Sequence, residues 1–133
     1  MELMSEMVRG EVDPTTGVPV ITLKYGPDVI LQGGQALGSE LMDEYERLSQ
    51  TAKTKSVVLD FQSDIAGSPV VRALIKMHGF LSSGQKGQLL VANYPPDFLP
   101  ALQALGVTSL PGFRLVTNRQ VGIEEASRSK ATA

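Results

Sequence analysis

The chain contains no cysteine and no tryptophan, and His78 is its single histidine. Without cysteine there are no disulfides, no thiolate metal ligands and no thiol nucleophile, which suits a reducing compartment. One histidine excludes a multi-histidine metal site within one chain. Aromatic residues make up only 5% of the chain, which disfavours a base-stacking surface. Neither sign of charge dominates: 12 Lys+Arg face 14 Asp+Glu, for a net charge of −2. This excludes a strong electrostatic grip on nucleic acid or acidic membranes. No apolar run approaches the ~20 residues of a membrane-spanning helix. The start, Met1-Glu-Leu-Met-Ser-Glu-Met-Val8, has no basic region followed by an apolar one and does not read as a secretory signal. A cytoplasmic protein is the expectation.

What is present is enough for one ordinary domain: 133 residues, 42% of them hydrophobic. Residues 1–17 read as an N-terminal extension in which Met7–Val12 offers an edge strand. Asp13-Pro-Thr-Thr-Gly17 is a turn, because proline presets φ and glycine permits positive φ. Val18–Tyr25 reads as a strand, and Gly26-Pro-Asp28 turns it back into Val29–Leu31, predicting a hairpin. Leu37, Leu41, Tyr45, Leu48 and Ala52 lie on one helical face, with Ser39 as cap and Glu40 and Asp43 near the positive end. Ser56–Phe61 is a short, mostly apolar strand of the kind buried on both faces. Ser68-Pro69 opens a second helix whose buried stripe is Val70, Leu74, Met77 and Leu81. Gln88–Ala92 is a strand, Pro95-Pro96 starts a third helix, and Gly106 stops it. Phe113–Thr117 is the last strand, and Asn118 caps a final helix to about Ala126. Ser127–Ala133 reads as a mobile tail.

The resulting order, β-β-α-β-α-β-α-β-α, implies a mixed α/β sheet of about five strands with about four helices. The expected core includes Val20, Leu23, Ile30, Leu41, Val58, Leu59, Leu74, Met77, Leu89, Val91, Leu102 and Leu115.

Few residues suggest chemistry. His78 falls one residue past the apolar stripe of its helix and reads as a partly exposed packing residue, with no nucleophile identifiable beside it. Gly33-Gly34-Gln-Ala-Leu-Gly38 lies between a strand and a helix, where an anion or small ligand would meet backbone N–H groups. It matches neither established phosphate-loop spacing, and tight-turn geometry is the better explanation of Gly33, Gly34 and Gly38. The same holds for Gly84-Gln-Lys-Gly87. Asp60 and Asp64 flank the loop before the second helix and would suit Mg²⁺, although solvation or capping is the commoner role of such carboxylates. No cofactor and no tightly held metal are expected. Ser68 stands at a helix start after the carboxyl end of a strand, where a phosphate would meet free N–H groups and the positive helix end. On capping chemistry alone, simple capping, worth about 1 kcal/mol, is the favoured reading.

Several stretches together resemble a known family. Val57-Val-Leu-Asp60-Phe, Ile65-Ala-Gly-Ser68-Pro-Val-Val-Arg-Ala-Leu-Ile-Lys-Met-His78, Gly87-Gln-Leu-Leu-Val-Ala-Asn93, Leu102-Gln-Ala-Leu-Gly-Val107 and Val121-Gly-Ile-Glu-Glu-Ala126 look like a STAS domain. That is the family of bacterial anti-sigma factor antagonists. The likeness covers about residues 18–126. The family motif opens the second helix with Asp-Ser/Thr-Ser-Gly-Leu, and its first Ser/Thr is the phosphorylation site. Ser68 falls on that position, but Gly67 replaces the acid, Pro69 the following serine and Val70 the glycine. The motif is therefore degenerate.

The resemblance implies a STAS-like, non-enzymatic transcription regulator that binds an anti-sigma factor/serine protein kinase and so frees a sigma factor. It makes Ser68 the phosphorylation candidate. The expected contact surface is Gly67, Ser68, Val70, Val71 and Arg72: Pro69, Val70 and Val71 are apolar at a helix start where one face is buried, and the remainder would offer a dry contact. Direct nucleic-acid binding is not expected, and the sequence leaves a homodimer open. Two further readings remain: a small-ligand or lipid-binding module using Gly33–Gly38 and Gly67–Ser68, and a structural subunit of a larger assembly.

Overall fold

A computed structural model describes residues 8–24, 35–62, 67–81, 87–94, 98–104, 106 and 112–132. In chain order the elements are β1 (Val8–Val12), β2 (Pro19–Leu23), α1 (Gln35–Ser49), β3 (Val57–Phe61), α2 (Gly67–Phe80), β4 (Leu89–Ala92), α3 (Phe98–Ala104), β5 (Phe113–Val116) and α4 (Arg119–Thr132). The five strands form one sheet in the order β1-β2-β3-β4-β5. Only β1 runs antiparallel to its neighbour; β2, β3, β4 and β5 are parallel. The α/β class, the element order and the numbers of strands and helices agree with the sequence reading.

The hairpin differs. The turn at Asp13–Gly17 forms as expected: the Asp13 carboxylate accepts the Thr16 N–H at 2.9 Å and its hydroxyl at 2.8 Å, and Gly17 adopts a φ of 77°. But it joins Val8–Val12 to Pro19–Leu23. The antiparallel partner of the second strand is thus the segment read as a separate edge strand. Val29–Leu31, with Ile30, lies outside the described residues. The physical reason is local. This turn satisfies its own polar groups, and Val8, Gly10 and Val12 alternate toward one face so that the strand can lie under a helix.

Alternation along the strands divides the core. Ile21, Leu23, Val57, Leu59, Phe61, Leu89, Val91 and Phe113 point to one face, where α1, α2 and α3 cover them with Leu41, Tyr45, Leu74, Met77, Phe98 and Leu102. Val20, Val58, Leu90, Ala92 and Val116 point to the other, where α4 covers them with Ile123 and Ala126. Glycine brings α4 close: a Cβ at Gly122 would stand 3.0 Å from Val58 and 3.3 Å from Val116. Of the expected core, Leu115 is only partly buried.

Two helix ends also differ. α1 begins at Gln35, so Ser39 is inside it and not its cap. Glu40 accordingly gains nothing from the helix start. Burial, with Asp43 and Glu44 close by, pushes its carboxyl above the ordinary value. α4 begins as expected, with the Asn118 side chain accepting the Val121 N–H at 3.0 Å. It continues to Thr132, past Ala126, because Ser127–Thr132 contains neither glycine nor proline to stop it.

Candidate functional site

The start of α2 comes soon after β3 in the chain, at the carboxyl end of a central parallel strand, a common position for binding in open α/β sheets. Gly67 and Ser68 are the first two residues of α2. The helix thus begins one residue before the expected cap, and Ser68 sits in the first turn, where backbone N–H groups lack intrahelical acceptors. The Ser68 and Pro69 side chains lie outside the described part.

Val70 is buried, as the apolar stripe predicts, and Val71 does not face outward either. They are 0% and 1% exposed and belong to the main core. The helix is flanked by α1 and α3 as well as by the sheet, so more than a single stripe of it is covered. Val70 and Val71 therefore offer no apolar contact surface. Arg72 and Lys76 are exposed instead. Ser68, Arg72 and Lys76 stand four residues apart and share one helical face. Arg72 and Lys76 form no ion pair among the described residues.

His78 is more buried than expected, at 8% exposed, with its ring edge-on to Phe113 at 6.2 Å between centroids. It is ten residues from Ser68 on the same helix, about 15 Å along the axis at 1.5 Å per residue. That separation prevents His78 from acting as a base on the Ser68 hydroxyl.

Of the three glycines of the expected loop, only Gly38 is among the described residues. Gly38 is inside α1, where a Cβ would lie in ordinary contact with Ala73 of α2, at 3.7 Å. Its role is helix contact. Gly33 and Gly34 lie outside the described residues.

On the opposite face, at the carboxyl ends of β3 and β4, is a polar cluster that sequence reasoning did not assemble. Asp60 is 3% exposed. Its carboxylate accepts the Asn93 amide at 2.8 Å, the Gln62 amide at 3.2 Å and the Arg119 guanidinium at 3.4 Å. Arg119 also donates to Thr22 at 3.4 Å and pairs with Glu11 of β1. A cation in the first turn of α4 opposes the helix dipole, and the two carboxylates offset that cost. Asn93, at a φ of 55°, is the only non-glycine residue with positive φ among those described. The bond to Asp60 supports that conformation. The available signal was Asp60 itself, a lone carboxylate in an apolar strand that must find donors. With its oxygens so engaged, Asp60 is not a free metal ligand. Asp64 lies outside the described residues. Among those described, no group of three or more candidate ligands is close enough to hold a metal ion.

No described helix is long and apolar enough to cross a membrane. Compared with known proteins, the chain matches no family model, no curated protein and no solved structure.

Proposed function

We propose that this chain is a non-enzymatic regulatory module resembling an anti-sigma factor antagonist. It binds an anti-sigma factor with serine kinase activity in the cytoplasm, and phosphorylation at Ser68 controls that binding. The observation that carries the reading is positional. The serine matching the family's modified residue stands in the first turn of α2, just past the carboxyl end of β3. The five-strand sheet with its antiparallel first pair agrees with the architecture the resemblance implies.

The contact surface is polar. With Val70 and Val71 in the core, the partner meets the Ser68 position and the Arg72–Lys76 stripe. A phosphate on Ser68 adds up to about two negative charges one helical turn from Arg72. It would neutralise the cation that the partner uses.

The test is recovery of the full chain with its partners from native lysate, followed by mass spectrometry of the partners and of the Ser68 peptide. The reading expects an ATP-binding serine kinase among the partners and a phosphorylated fraction of the Ser68 peptide. A co-purified small molecule with no kinase would overturn it in favour of a ligand-binding module.

A further inference from the structure

Among the described strands β1 lies at the edge of the sheet, and the outward backbone groups of its middle residue are already occupied. The Asp13 N–H donates to Val18 O at 2.8 Å, which fixes the phase of the antiparallel ladder. In that phase Arg9 and Glu11 face β2, while the N–H and C=O groups of Val8, Gly10 and Val12 face away from the sheet. At the middle of the strand the Gly10 N–H donates to Glu44 Oε2 at 2.9 Å, and Gly10 O accepts from Arg47 Nη2 at 3.1 Å. Glu44 and Arg47 also pair with each other. One turn of α1 thus supplies both an acceptor and a donor to one edge residue.

The arrangement depends on glycine. A Cβ at Gly10 would stand 2.7 Å from the Glu44 side chain and 2.7 Å from Leu48. The Arg47 hydrogen bond holds the Glu44 carboxyl below its ordinary value, so it stays an ionised acceptor. Exposed edges invite pairing with another strand, and proteins block them with charged side chains.

We propose that the Glu44–Arg47 pair is an edge guard. It occupies the outward N–H and C=O of Gly10 and blocks antiparallel pairing of β1 with β1 of a second copy. A symmetric dimer that pairs the whole of β1 with its copy would place the two Gly10 residues opposite each other, at the twofold axis. The guard closes this route to association and has no bearing on the Ser68 face.

The test compares the full chain with the double variant Glu44→Ala/Arg47→Ala by sedimentation over a concentration series, with hydrogen exchange on the β1 peptide. The double variant should dimerise at least about tenfold more tightly than the parent, and dimerisation should slow exchange at Val8 and Val12. Arg47→Ala alone should give an intermediate shift, because it frees only the carbonyl. Its side chain is 62% exposed, so this variant folds even where the double variant does not. Three results would overturn the proposal: folded Arg47→Ala that associates no more than the parent, a dimer with unchanged β1 exchange, or a parent chain already paired through β1.

Discussion

Replacing Asp60 with alanine tests whether the cluster on the α4 face is a lock between strands and helix. The substitution removes three acceptor contacts of unequal worth. The Asn93 bond, at 2.8 Å to a charged acceptor, is the strongest. The Gln62 bond is longer, at 3.2 Å, and Gln62 is exposed, so water replaces it cheaply. Arg119 at 3.4 Å is 36% exposed along its side chain and keeps Glu11, so its contribution is discounted for solvent. Breaking a buried charged pair costs about 3–5 kcal/mol, but here only Asp60 is deeply buried, while its donors Asn93, Gln62 and Arg119 all reach solvent. The expected destabilisation is about 2 kcal/mol. Asp60→Asn keeps the size and one acceptor oxygen and should cost about half as much. In urea denaturation the alanine variant should lower the midpoint by about 1 M with an unchanged slope. A cycle with Asn93→Ala should show coupling of at least about 0.5 kcal/mol. An Asp60→Ala chain within about 0.5 kcal/mol of the parent, or a cycle that closes without coupling, would refute the lock.

Leu74, 0% exposed in the middle of α2, should cost about 2–5 kcal/mol when replaced by alanine, measured by the same denaturation; a cost near zero would overturn the packing of that helix. Gly122→Val should lose about 1–3 kcal/mol, because its side chain must enter the space already filled by Val58 and Val116. Tyr45 donates its hydroxyl to Lys55 O at 2.8 Å, and burial pushes its pKa up to about 12 from 10.0. The raised value means that its stabilisation is complete below pH 10.0 and is lost as pH rises toward about 12. Tyr45→Phe should flatten the alkaline stability profile over that window while costing about 1 kcal/mol at neutral pH.

Strands buried on both faces were legible because Val57–Phe61 and Leu89–Ala92 are almost wholly apolar, and helices because Leu41, Tyr45 and Leu48 repeat at helical spacing. Gly17 and Gly106 marked positive-φ positions that composition and context alone could identify. Pairing was not legible at the N-terminus. Val29–Leu31 is the more apolar candidate, whereas β1 owes its place to a turn and to Gly10, whose missing side chain admits Glu44 and Leu48. Val71 was misjudged because a single-stripe picture of α2 ignores the neighbouring helices. The Asp60 cluster escaped because its donors, Asn93 and Arg119, are 33 and 59 residues away in sequence. The correction to Val71 has a practical consequence. Val71→Glu would bury an unpaired charge and test folding, so the surface is better probed at Arg72.

The central claim is that the first turns of α2 form a partner surface controlled at Ser68. Its most direct test is calorimetric titration of the kinase recovered from lysate with the parent chain, Ser68→Ala, Ser68→Asp and Arg72→Glu, each verified as folded. The account predicts that Ser68→Ala binds like the parent, and that Ser68→Asp and Arg72→Glu each weaken binding by about tenfold or more. Parent-like affinity for both charged variants would contradict it, because neither the serine position nor the basic stripe would then belong to the interface.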